Sequence, residues 1–126
     1  MPLRSSTSAE TSFLDGKTAI AYLRRAAEKL LQEHEQVREV LLFGSLAQGN
    51  YAPGSDADLL MVLEQDDRSL LERIAEFLGA FLEAPLPVEM FPFTQAEMQR
   101  NHFAQSCFRQ GVSLARRRGD SSSPNL

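Results

Sequence analysis

The stretch Leu41-Leu42-Phe43-Gly44-Ser45-Leu46-Ala47-Gln48-Gly49-Asn50, continued by Ser55-Asp56-Ala57-Asp58-Leu59-Leu60, governs the reading of this chain. An apolar run ends at Gly44-Ser45, ten residues follow, and Asp56 and Asp58 open a second apolar run. Gly44 lets the backbone approach a ligand with no Cβ in the way, and Ser45 offers a hydroxyl and a helix-start amide suited to phosphate oxygens. Two residues advance roughly 6.6 Å along a strand and share one face, so Asp56 and Asp58 can grip metal from neighbouring positions. A phosphate-friendly turn and a metal-friendly pair, separated by one loop, point to nucleotide chemistry.

Working outward, Val37 to Phe43 is a short β-prone run stopped by Gly44, and it predicts a strand entering the turn. Before it, Ile20, Leu23, Ala27, Leu30 and Leu31 recur at helical spacing, predicting an amphipathic packing helix over about 16 to 35. Ser45 begins a short helical turn, and Gly49 is expected to turn the loop. Ala57 to Leu63 is apolar on both faces, as a central strand covered on both sides should be. The stripe Leu70, Leu71, Ile74, Phe77, Leu78, Phe81 and Leu82 predicts a helix over 69–82, opened by a Ser69/Glu72 capping box.

Pro85 and Pro87 break that helix, and Val88 to Phe93 predicts a third strand, with Glu89 on the face opposite Val88 and Met90. Thr94 and Glu97 repeat the capping-box spacing, so a helical C-terminal region is expected to run to about Arg116. Residues 1–14 and 119–126 are polar and aperiodic, are expected to be disordered, and leave one domain over 15–118. The alternation of elements is α/β (or α+β): a small mixed β-sheet with helices packed on it.

A chain of 126 residues, 43% hydrophobic, can build one core but not a catalytic domain plus a dedicated acceptor-binding domain. The formal charge of −4 argues against a broad nucleic-acid surface, which needs Lys and Arg to release counterions from phosphates. Cys107 is the only cysteine, so no intrachain disulfide forms, and His34 and His102 lack zinc spacing. No run approaches a membrane helix or a secretion signal, and a cytoplasmic protein is expected.

The Gly-Ser turn, ten residues, then Asp-x-Asp resembles the nucleotidyltransferase superfamily that includes DNA polymerase beta, most closely its minimal nucleotidyltransferases. The similarity runs from the helix before the turn to Arg109-Gln110-Gly111-Val112, which looks like the closing helix of such proteins. The resemblance implies the nucleotidyltransferase fold, with Asp56, Asp58 and Glu89 as catalytic acids holding Mg²⁺, two ions being expected. It also implies that Gly44, Ser45, Gly49 and Ser55 bind the nucleotide. The donor would be an NTP, ATP by preference, and the acceptor a hydroxyl on a protein or small molecule. In this resemblance, as in MntA-type antitoxins, such proteins act beside a separately encoded all-helical HEPN-type toxin and adenylylate its tyrosine. Relatives usually carry Asp where this chain has Glu89, and Arg or Lys where it has Gln48, a charge that Arg38 or a partner would have to replace.

Competing readings follow from the same residues. Gly44 and Gly49 have the outer spacing of a Walker A loop, but Asn50 and Tyr51 stand where Lys and Ser or Thr are required. An EF-hand fails for want of further oxygen ligands. Ser45 with Gln48 has capping-box spacing, and Asp56 after Pro53-Gly54-Ser55 suits a turn; Asp58, among Leu59, Leu60, Met61 and Val62, needs a cation or strong donors. His34, His102 and Cys107 read as structural or surface residues, and Arg116-Arg117-Arg118 as a solvated helix end. A catalytically weak nucleotide- or metal-binding module acting on a partner, and a phosphotransferase using the same acids, stay open, as does self-association.

Overall fold

The computed structural model describes residues 16–49 and 56–118. The expectations for 1–14, 119–126 and Ser55 lie outside the described residues. Helix α1 (Gly16–Glu33) buries Ala19, Leu23, Ala27, Leu30 and Leu31, which recur every three or four residues and so form one stripe. Strand β1 (Val37–Phe43) follows and pairs antiparallel with β2 (Ala57–Leu63), Phe43 facing Asp58 and Val37 facing Leu63.

Helix α2 (Leu70–Phe77) starts at Ser69, whose side chain accepts from the Glu72 amide while Glu72 accepts in return from the Ser69 amide. The predicted stripe over 69–82 is corrected in two respects. The chain tightens into a 3₁₀ turn over Leu78–Phe81, and Leu70, Leu71 and Leu82 are exposed, so Phe77 and Phe81, with Leu78 packed against the same core, carry the packing. Strand β3 (Val88–Thr94) pairs parallel with β2. It is an edge strand, and this accommodates Pro92, which has no N–H to contribute to a ladder.

The C-terminal region departs from the expected helix. Thr94 caps a single turn, α3 (Gln95–Met98), and Asn101 caps α4 (His102–Gln110). The chain then passes through extended Gly111 into a fourth strand, β4 (Val112–Arg116), antiparallel to β1. The run to Arg116 is therefore helix only as far as Gln110. Leu114 and Ala115 are buried, and the free edge of β1 supplies the hydrogen bonds that make a strand the better solution.

The sheet order is β3-β2-β1-β4, and helices cover both faces of this mixed sheet. Val40, Leu42, Leu59, Met61 and Met90 pack with Leu23, Leu30 and Phe77 on the face under α1 and α2. Leu41, Leu60 and Val62 pack with Ala104 and Cys107 on the face under α4. Every residue of β2 is buried except Asp58, which makes it the single polar break in the central strand. Among the described residues no helix is long and apolar enough to cross a membrane.

Two arginines fasten the layers. Arg73 places all five N–H donors: Nε on the Arg68 carbonyl, Nη1 on the Pro92 carbonyl and Glu97, Nη2 on the Asp66 carbonyl and Glu97. Arg117 is not at a helix end of its own, as the sequence suggested. It donates from Nη2 to the carbonyls of Leu31 (2.8 Å), His34 (3.0 Å) and Val37 (2.8 Å), closing the C-terminus of α1.

Candidate active site

At the end of β1 the backbone reverses at Gly44, whose φ of +84° is a left-handed conformation that disfavours any side chain. The next residues wind into a helical turn in which the Gln48 amide donates to the Gly44 and Ser45 carbonyls and the Gly49 amide to the Leu46 carbonyl. Leu46 is buried in the main core and pins the turn, while Ser45 stays exposed. In a turn of this sense the opening amides have no partner within the turn, so its start presents N–H groups. Gly49, with φ +82° and open space at its missing Cβ, reverses the chain as expected.

Asp58 comes next to that bend through sheet register. It faces Phe43 across the β1–β2 pair and Glu89 across the β2–β3 pair. A Cβ built on Gly44 would lie 2.5 Å from Asp58 Oδ2, so the carboxylate occupies the space a side chain there would need. The alternation of β3 sends Val88 and Met90 to the α1–α2 side and leaves Glu89 exposed on the Asp58 side. Asp56, exposed, immediately precedes β2, and the Ala57 amide beside it donates to the Pro87 carbonyl at 2.8 Å.

Asp58 feels both burial and its acidic neighbours. Burial pushes the Asp58 carboxyl above the usual carboxylate range, the charges of Glu89 and Asp56 push it further, and a hydrogen bond with Glu89 adds to the rise. Beneath it, burial raises the Cys107 thiol, and the charge of Asp58 contributes to that shift. Like charges gathered against a buried sheet face call for a cation to offset them. Among the described residues no group of three His, Cys, Asp or Glu side chains is by itself drawn tightly enough to hold an ion. The donor set is nevertheless all oxygen and all anionic, which fits Mg²⁺ whose shell is completed by phosphate oxygens.

The remaining predicted positions divide plainly. Gly44, Ser45, Asp58 and Glu89 come together at one end of the sheet, Asp56 joins them at the entrance to β2, and Gly49 closes the same turn. Arg38 does not stand in for the missing cation at Gln48: it lies at the opposite end of β1 and pairs with Glu64 at 3.3 Å. Sequence reasoning missed three phenylalanines beside the acids. Phe43, Phe91 and Phe103 bring their rings together at centroid separations of 5.6, 6.1 and 5.3 Å. Period-two alternation marks Phe91 as sharing the Glu89 face, but nothing in the sequence ties Phe103 to that group.

Comparison with known proteins bears on the same arrangement. A candidate nucleotidyltransferase from Sulfolobus solfataricus superposes with TM-score 0.65 at 18% identity, covering 86% of this chain and 90% of its own. A toxin-antitoxin structure with AMP-PNP superposes with TM-score 0.53 at 20% identity, covering 79% of this chain and 78% of its own. At such identities the likeness speaks for the fold. No curated protein sequence matches the chain. Residues 23–107, which include β1, the Gly44 turn, the acids and most of α4, match the nucleotidyltransferase domain family, and the chain belongs to that family.

Proposed function

We propose that this protein transfers a nucleoside monophosphate, AMP from ATP, to a hydroxyl of a protein acceptor and releases pyrophosphate. The observation that carries the reading is the contact of Asp58 with the side-chain-free Gly44, with Glu89 in register on the next strand. Asp56, Asp58 and Glu89 would hold Mg²⁺, which, when bound, lowers the pKa of the attacking hydroxyl and neutralises charge on the leaving pyrophosphate. Gly44 admits the triphosphate close to the backbone, and the opening amides and hydroxyl of the Ser45 turn bind its oxygens. Glu89 is exposed at the edge of the cluster. The acceptor oxygen forms a bond to the α-phosphorus, the bond from that phosphorus to the bridging oxygen breaks with its electron pair leaving on pyrophosphate, and the hydroxyl proton passes to solvent water.

The acceptor is a separately encoded helical partner of the HEPN type, modified on a tyrosine, with this chain acting as antitoxin. Family membership supports nucleotidyl transfer, and likeness to a toxin-antitoxin structure holding AMP-PNP supports ATP and the partner. The test incubates the protein and the product of its genomic neighbour with Mg²⁺ and ATP labelled at the α or γ phosphate, beside Asp58→Asn. Label from the α position on the partner, absent with Asp58→Asn, is the expected result. Label from the γ position identifies phosphotransfer. Nucleotide binding without labelling identifies a binding module, the reading that Glu89 and Gln48 favour because they depart from the usual Asp and cation.

A further inference from the structure

We infer that Phe103, held by Phe43 and Phe91, is the platform on which the flat base of the nucleotide stacks. This rests on the reading of the acid cluster as a nucleotide site.

Phe43 immediately precedes Gly44 and faces Asp58 in register, and Phe91 lies two residues beyond Glu89 on the same face of β3. Phe103 comes from α4 and sets its ring edgewise to both, at interplanar angles of 83° to Phe43 and 64° to Phe91. One turn further along α4, Cys107 is buried over the sheet within electrostatic reach of Asp58, so residues 103 and 107 turn one helix face toward the acids. Gly111, at the end of α4, lies close on Leu41, two residues before Phe43.

Phe103 is 49% exposed although two ring contacts fix its orientation. The exposed Leu71 and Leu82 belong to the layer on the other sheet face, and single exposed apolar residues need no explanation. Phe103 differs because it packs edgewise on two other rings beside the acids. Ligand sites pair a few polar groups with aromatic surface, and an ordered ring loses little freedom when a ligand settles on it. In an NTP the base is the one flat, uncharged part, and it hangs from the α-phosphate by a single ribose. The step from Glu89 to Phe91, roughly 7 Å along the strand, is of that scale. Stacking tolerates any base, so the platform adds affinity without choosing among bases.

The experiment measures binding of ATP and of inorganic tripolyphosphate, each with Mg²⁺, by titration calorimetry on the full chain. Wild type, Phe103→Ala, Phe103→Leu, Phe103→Trp and Asp58→Asn are compared, with folding checked by thermal melts. Phe103→Ala is expected to weaken ATP about tenfold and leave tripolyphosphate unchanged, with Phe103→Leu close to Ala and Phe103→Trp at least equal to wild type. Asp58→Asn weakens both ligands. If Phe103→Ala binds ATP as wild type does while Asp58→Asn loses both ligands, the platform is overturned and the nucleotide site stands. Equal ATP affinity in Phe103→Leu and wild type, or parallel loss of tripolyphosphate in Phe103→Ala, also overturns stacking. A wild type that binds neither ligand overturns both readings.

Discussion

Asp58 fills the place of the side chain that Gly44 lacks: a Cβ on the glycine would meet Asp58 Oδ2 at 2.5 Å. The Gly44 turn and the central acid are thus one unit, because a side chain at 44 can be added only by displacing the Asp58 carboxylate.

Gly44→Ala is the direct test of that unit. A left-handed backbone with a Cβ costs about 1–2 kcal/mol, and here the methyl also displaces the carboxylate. The variant is expected to melt lower and to lose at least about tenfold in binding of Mg²⁺ with ATP, since one displaced carboxylate contact is worth roughly 1.4 kcal/mol or more. Thermal melts and titration calorimetry read the two effects.

The raised Asp58 pKa has a definite sign. The folded protein holds this proton to higher pH than the unfolded chain does, so stability falls as pH rises from the ordinary value of 3.8 through the raised one. At neutral pH without divalent cation, Asp58→Asn is therefore expected to melt above wild type. Mg²⁺ with ATP should reverse the order, because only wild type gains from the cation. In wild type, binding of Mg²⁺ with ATP should weaken as pH drops through the same window, where Asp58 becomes protonated.

Arg73 and Glu97 tie α2 to the end of β3. The Arg73 side chain is 5% exposed, and removing it with Arg73→Leu leaves Glu97 and three carbonyls without their donor, at a cost of about 3–5 kcal/mol. The guanidinium, assisted by the Thr94 amide, holds Glu97 down at about 2. Its stabilising contribution is complete above the ordinary value of 4.5 and is lost as pH falls toward 2. Denaturant titrations should show the gap between wild type and Glu97→Gln shrinking over that range.

Arg117→Ala should loosen the end of α1 without touching the acid cluster. Three carbonyls lose a shared charged donor, and about 1–3 kcal/mol of stability should go with it. Hydrogen exchange is expected to quicken in the last turn of α1, while affinity for Mg²⁺ with ATP is unchanged.

Local signals carried much of this molecule. The stripe of α1, the capping boxes at Ser69 and Thr94, and the apolar run Leu59 to Leu63 of β2 each depend on residues within a few positions of one another, so they are legible without a partner. Period two placed Glu89 opposite Val88 and Met90, and the ten-residue interval joined Gly44-Ser45 to Asp56 and Asp58. The length of helix after Thr94 was misread because Val112–Arg116 becomes a strand only when β1 offers its edge. The role given to Arg117 failed likewise, since the carbonyls it binds lie 80 to 86 residues earlier.

By itself, then, the sequence determined which segments become helix or strand wherever short-range periodicity governs, and which residues are candidates for nucleotide chemistry. Tertiary structure alone decided that Asp58 abuts Gly44, that Glu89 falls beside it, and that Phe103 completes a ring cluster next to both. Those relations are set by strand register and helix crossing, which join residues far apart in the chain through packing and hydrogen bonds that no local pattern encodes.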